Sequence, residues 1–191
     1  MPLAYPDPPL ADGVVSLRPW RRGDLATVIE ASRDPYIPKV TTVPAPFTKS
    51  AGERWLDRQD TRSRSGLSVS LAIEETPRAE AVGAVVLMHG GHGVHGLGYW
   101  LLPAARGRGL ASRAVALVVD WTLAQTGVLE LEALVEPWNE ASVRVAEGAG
   151  FTRDRLLRAE ISVAGREADV VRYVLSGQSP RTGRNSGGQS E

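Results

Sequence analysis

The sequence predicts an α+β domain, a mixed sheet with helices on its faces. Three observations carry this. The apolar pattern alternates between period two and helical period along the 191 residues. The elements so read run β-α-α-β-β-β-α-β-α-β-β, which is not the regular β-α-β alternation of a doubly wound parallel sheet. The run Gly90-Gly91-His92-Gly93-Val94-His95-Gly96 reads as a hairpin loop between two of the middle strands.

The elements follow in order. Residues 1–10 carry four prolines and no long apolar run, so they read as an irregular lead-in and not as a signal peptide. Residues 14–18 read as a short strand. Asp24 is placed to cap a helix through Arg33, with Leu25, Val28 and Ile29 on one face. Residues 36–47, with Pro38, Pro44 and Pro46, read as a loop. Thr48 is placed to cap a second helix bearing Trp55 and Leu56; its far face, with Arg54, Arg58, Arg62 and Arg64, reads as a solvated surface. Residues 67–73 alternate Leu67, Val69, Leu71 and Ile73 with Ser and Ala, the period-two pattern of a strand. Strands at 82–88 and 98–102 flank the glycine loop. Residues 109–125 place Leu110, Ala114, Leu117, Val118 and Trp121 on one helical stripe, with Gly127 as the stop. A strand at 129–135, a short helix at 139–148 and two strands turning near Ala164-Gly165 complete the domain at 11–175. Residues 176–191, rich in Ser and Gly without a large apolar residue, are expected to form a disordered tail.

Composition narrows the function. Lys+Arg and Asp+Glu are 22 each, and this neutrality argues against a protein that coats nucleic acid. The chain has no cysteine, which excludes a disulfide framework, a thiolate metal site and a cysteine nucleophile, and fits a reducing cytoplasm. No stretch approaches the roughly 18 apolar residues of a membrane span. Lys39 and Lys49 are the only lysines and neither follows glycine, so a Walker-type phosphate loop is absent. His89, His92 and His95 recur within a glycine loop that has no nearby carboxylate and is poorly preorganised for a metal, so no metal is expected.

The most informative segment is Tyr99-Trp100-Leu101-Leu102-Pro103-Ala104-Ala105-Arg106-Gly107-Arg108-Gly109-Leu110-Ala111. A strand enters a tight Arg/Gly turn and a helix starts at once. Glycine permits positive φ and close approach, and a helix start offers unpaired N–H groups. The combination suits a pyrophosphate, with Arg106 and Arg108 adding charge. The dinucleotide fingerprint fails here, because Ser112 stands where its third glycine belongs.

Arg106-x-x-Gly109-x-Ala111 resembles the acetyl-CoA signature of the GNAT superfamily of N-acetyltransferases. Asn139-Glu-Ala-Ser142-Val-Arg144-Val followed by Gly150-Phe151 is similar to the next motif of that family. Leu17-Arg18-Pro19-Trp20 with Asp24, and Gly98-Tyr99-Trp100-Leu101, are similar to the branch of ribosomal-protein N-terminal acetyltransferases. The resemblance spans about residues 14–175. It implies a mostly antiparallel sheet with helices on both faces, whose strands at 98–102 and 129–135 splay apart. It implies acetyl-CoA as cosubstrate: pantetheine in the V, near the strand N–H groups of Leu101 and Leu102, and pyrophosphate on the loop formed by Arg106, Gly107, Arg108, Gly109, Leu110, Ala111 and Ser112. Asn139 would bridge the pantetheine amides, an alternative to capping its helix.

Transfer to an amine needs a base for the amine and an acid for the leaving thiolate. The resemblance implies Glu160 as base and Ser142 as acid, because Ala146 occupies the position where many relatives carry a tyrosine. A solvent-facing Glu160 and a backbone-bonding Ser142 are the plainer alternatives. Trp55 and Trp121 read as core, and Trp20, Tyr36 and Trp100 as candidate walls of an acceptor pocket. The expected acceptor is a protein N-terminal amine or a small-molecule amine, with no nucleic acid or membrane partner; a homodimer is left open. Two other readings remain: a module that holds acyl-CoA without turnover, and transfer from another acyl-CoA such as succinyl-CoA.

Overall fold

The computed structural model describes residues 4–125, 127–162 and 164–177. Eight strands form one sheet in the order β1-β2-β3-β4-β5-β6-β8-β7. They are β1 (Leu10–Ala11), β2 (Val15–Pro19), β3 (Ser68–Glu75), β4 (Glu80–Gly91), β5 (Val94–Leu101), β6 (Glu130–Val135), β7 (Thr152–Ile161) and β8 (Glu167–Ser176). Every pairing is antiparallel except β5 with β6. Leu10, expected in the lead-in, already pairs with Leu17, and Ser176, expected in the tail, closes β8. Residues 178–191 of the expected tail lie outside the described residues.

Five helices cover the two faces: α1 (Leu25–Arg33), α2 (Ile37–Val40), α3 (Lys49–Arg64), α4 (Leu110–Leu123) and α5 (Glu140–Gly148). Strand alternation separates two cores. Leu17, Leu71, Ile73, Val85 and Leu87 pack with Leu110, Val115 and Val118 of α4. Ala84, Trp100 and Leu102 pack with Val28, Ile37 and Trp55 of α1, α2 and α3. Because both faces of β3 are covered, Ser68, Ser70 and Ala72 are buried along with Val69 and Leu71. Leu67, expected within it, is exposed just before it begins.

Local chemistry places the helices. Thr48 caps α3, its Oγ1 accepting from the Ala51 N–H at 3.1 Å. Asp24 precedes α1 without capping it, because its carboxylate takes Arg18 in a two-pronged pair at 2.8 and 2.9 Å and the Arg21 N–H at 2.7 Å. Arg18 also meets Glu74. This buried cluster fixes how β2 enters α1. The expected loop at 36–47 contains α2, whose start is capped by Asp34 Oδ1, accepting from Tyr36 N–H and Ile37 N–H at 2.8 and 2.9 Å. On α4 the buried stripe runs through Ala111, Val115, Val118 and Thr122, leaving Leu117 and Trp121 at its edge.

The glycine hairpin is tighter than expected. Gly91 pairs with Val94, and only His92 and Gly93 turn, at φ +49° and +77°. Positive φ at both central residues matches the twist of a two-residue hairpin. His89 and His95 therefore lie opposite each other on strands, with Nδ1 atoms 3.4 Å apart. No group of three metal-ligating side chains occurs among the described residues.

Candidate active site

The sheet opens at its centre. Strands β5 and β6 run in parallel only over Val94–Gly96 against Glu130–Glu132 and then part, leaving Leu97–Leu101 facing a gap. Leu102 N–H donates to Val82 O at 2.9 Å, so the even-numbered residues of β5 spend their backbone groups on β4. The odd-numbered residues, Tyr99 and Leu101 among them, turn theirs toward the gap. This corrects the expectation for Leu102, whose N–H is already bonded; Leu101 alone of the two presents its N–H to the V. The Leu101 carbonyl is held by Arg106 Nε at 3.0 Å.

At one end of the gap, Gly107 and Gly109 adopt φ +73° and +74°, with nothing within 4 Å of a Cβ built at either. The backbone conformation, not crowding, favours glycine at both positions, and the space beside them is open. Gly109 is the residue before α4 and provides no side-chain cap, and the first turn has no acidic residue. The N–H groups of Leu110, Ala111 and Ser112 precede the first internal bond of the helix, from Arg113 N to Gly109 O at 3.2 Å. The donors and the dipole are thus bare, and the residues present fit an anion such as a pyrophosphate.

Both loop arginines, expected to add charge, are ion-paired within the fold. Arg106 Nη2 meets Asp34 Oδ2 at 2.7 Å, and Arg108 pairs with Glu75, its Nη1 3.1 Å from Oε2. Burial would raise the Asp34 carboxyl, but the N–H groups of Ile37 and Tyr36 and the Arg106 guanidinium outweigh it and hold it below the ordinary range. The arginines therefore brace the loop against buried carboxylates.

Deeper in the V, Asn139 precedes α5 and its Oδ1 accepts the Ser142 N–H at 3.1 Å, the capping role. Ser142 Oγ accepts a hydrogen bond from Tyr99 Oη at 3.0 Å. Burial pushes the Tyr99 phenol up, against the opposing bond to Ser142. The sequence marked Tyr99 only as part of a motif, and its partner lies 43 residues away.

A cleft of about 770 Å³ passes through the gap from this side to the other. Tyr99, Asn139 and Ser142 line the α5 half. Tyr36, Trp55, Trp100, Arg58, Arg62 and Glu160 line the opposite half. Trp20, expected in this wall, stands behind it, 5.0 Å from Trp55 and 6.0 Å from Trp100 between ring centroids. Trp55 is buried as expected and contributes to the wall as well. Glu160 lies on β7 beside a register shift and is exposed to the cleft. Ser162 Oγ donates to Lys39 O at 3.1 Å, fastening the β7–β8 hairpin to α2 and closing this wall.

A sheet parted between two parallel strands, with an uncapped helix N-terminus at the mouth, defines an acyl-CoA-dependent N-acyltransferase. The Acetyltransferase (GNAT) domain family matches residues 15–152, and the chain belongs to that family as an N-acetyltransferase. The chain is 26% identical over 164 residues to the uncharacterized N-acetyltransferase p20 of Bacillus licheniformis, a match covering 84% of this chain and 92% of that protein. It is 38% identical over 69 residues to the probable N-acetyltransferase YjcK of Bacillus subtilis, covering 36% of this chain but only 38% of that relative's length. Its fold is shared with Mycobacterium smegmatis RimJ, solved in complex with CoA-disulfide, at TM-score 0.74 and 24% identity over 88% of this chain and 85% of that one. Among the described residues no helix is long and apolar enough to cross a membrane.

Proposed function

We propose that this chain transfers the acetyl group of acetyl-CoA to an amine, a protein N-terminus or a small-molecule amine, in the cytoplasm. The observation that carries the reading is the cleft: Tyr99, Asn139 and Ser142 line one half and Glu160 the other, and the bare N-terminus of α4 follows in the chain just beyond the end of β5. In this reading the N–H groups of Leu110, Ala111 and Ser112, with Gly107 and Gly109 giving room, hold the pyrophosphate. Arg106 and Arg108 keep that loop in place. The gap-facing N–H of Leu101 binds the thioester oxygen and stabilises the charge that grows there. Asn139 orders the first turn of α5 under the pantetheine.

The amine nitrogen attacks the thioester carbonyl; a C–N bond forms and the C–S bond breaks. Glu160 takes the proton the nitrogen loses, directly or through water. Ser142 gives its proton to the departing sulfur as Tyr99, already donating to Ser142 Oγ, passes its own phenolic proton on to the serine oxygen; the phenolate so formed regains a proton from solvent before the next turnover, and burial, which raises the phenol, keeps Tyr99 protonated at rest. Tyr99 thus supports the acid role from β5, where the position on α5 used by other family members is Ala146. No metal enters. The test is free-thiol release from acetyl-CoA against a panel of amines, with succinyl-CoA as competitor. Amine-dependent release favouring the acetyl donor supports the reading; CoA binding without release under any amine overturns it in favour of a binding module.

A further inference from the structure

The charges of the acceptor half of the cleft do not cancel. Six charged side chains line it: Arg58, Arg62, Arg166, Glu132, Glu136 and Glu160. Two carboxylates are already spent inside the fold. Glu132 accepts from Arg172 Nε at 2.7 Å, and buried Glu136 is paired with Arg166. Among the described residues Arg58, Arg62 and Glu160 form no ion pair. Arg58 and Arg62 are four residues apart on α3 and so share one face of that helix. Arg62 is held by Nε donation to the buried Ser68 hydroxyl at 2.9 Å, which leaves its terminal nitrogens for another acceptor. Trp55 and Trp100 line the same half of the cleft and contribute no charge. The half-cleft therefore presents two unmatched guanidinium groups at one wall and one unmatched carboxylate at the other.

We infer that the acceptor carries an anionic group, a carboxylate or phosphate, beside its amine: Glu160 receives the amine end, and Arg58 and Arg62 receive the anion. This rests on the acetyltransferase reading for the amine end alone. Guanidinium groups bind such oxyanions with paired donors, and two of them select against a cationic acceptor as well as for an anionic one.

The test uses the full chain with CoA bound and calorimetric titration of matched peptides. Each has a free α-amine on Ser; the next two residues are Asp, phosphoserine, Ala or Lys, and aspartate alone serves as the small-molecule arm. The acidic peptides are expected to bind about ten-fold more tightly than the Ala peptide, the Lys peptide weakest, with the advantage shrinking at high salt. The Arg58→Gln/Arg62→Gln double variant is expected to erase that advantage while retaining the CoA-dependent rise in melting temperature. Arg58→Glu/Arg62→Glu is expected to turn the preference toward Lys. Equal affinity of wild-type protein for the Asp and Ala peptides, or an unchanged preference in the double variants, overturns the inference. Tight, arginine-dependent binding of acidic peptides without acetylation instead leaves the anion site standing and removes the catalytic reading. Whether Asp, phosphoserine or free aspartate binds best identifies the source of the anion.

Discussion

Tyr99 donates its phenolic hydrogen to Ser142 Oγ across 3.0 Å, joining β5 to the first turn of α5 over the open centre of the sheet. Neither residue reaches the other through sequence; the parting of β5 and β6 brings them together. Burial raises the Tyr99 phenol, so the donor form persists through neutral and mildly alkaline pH. Tyr99→Phe is expected to lower kcat by about ten-fold, less than Ser142→Ala, with the KM for acetyl-CoA nearly unchanged. An unaltered kcat at every pH would assign this bond to structure alone.

Glu160→Gln is expected to cost more than either change. An ammonium cannot attack until it loses a proton, whereas a thiolate is a fair leaving group without help. The expected loss in kcat is toward the upper part of the ~10²–10⁴-fold range of acid–base assistance. Kinetics of acetyl transfer against pH for both variants decide this; near-wild-type turnover of Glu160→Gln across the profile would move the base to water.

Gly109 separates room from backbone strain. Asn and Asp tolerate a left-handed backbone better than other side chains, so Gly109→Asn and Gly109→Asp are expected to fold with melting temperatures near wild type. Their side chains enter the open space before α4, and the Asp adds a charge opposed to phosphate. CoA affinity by calorimetry is expected to fall in both, and further in Gly109→Asp; equal affinity in the two would take the pyrophosphate away from this helix end.

Asp34 links the two halves of the site, since one oxygen caps α2 and the other holds Arg106. Its carboxyl is depressed in the fold despite burial, by the Ile37 and Tyr36 N–H groups and Arg106. A depressed carboxyl contributes stability that is complete above the ordinary aspartate range and is lost as pH falls through its lower folded value. Asp34→Ala is expected to cost about 2 kcal/mol through the lost cap and pair and to flatten the acid side of melting temperature against pH. It should also weaken CoA binding by loosening Arg106. A variant with unchanged acid sensitivity would show that other carboxylates govern that limb.

The loop before α4 was legible because its glycines stand at positive φ, a backbone preference written in local sequence. The element order was legible for the same reason: periodicity is local. What escaped is set by partners distant in the chain. The arginine face of α3 read as solvated, since a helical pattern tells which residues share a face and not what stands opposite; the β7–β8 hairpin and α2 turn Arg58 and Arg62 into a wall of the cleft. The role of Leu102 was misplaced because strand register decides which N–H groups are spent, and register is a property of β4 and β5 together. Asp34 hid as a helix-end residue, and α2 hid within a proline-rich stretch that Asp34 itself caps.

The most direct measurement of the central claim is release of free CoA thiol from acetyl-CoA by the purified chain, with and without amine acceptors bearing a carboxylate, in wild type and Gly109→Asp. The account predicts release that requires both protein and amine, survives a metal chelator and collapses in the Gly109→Asp protein. Release of the same size in Gly109→Asp, or none from the wild type with any amine while acetyl-CoA still binds, would contradict it.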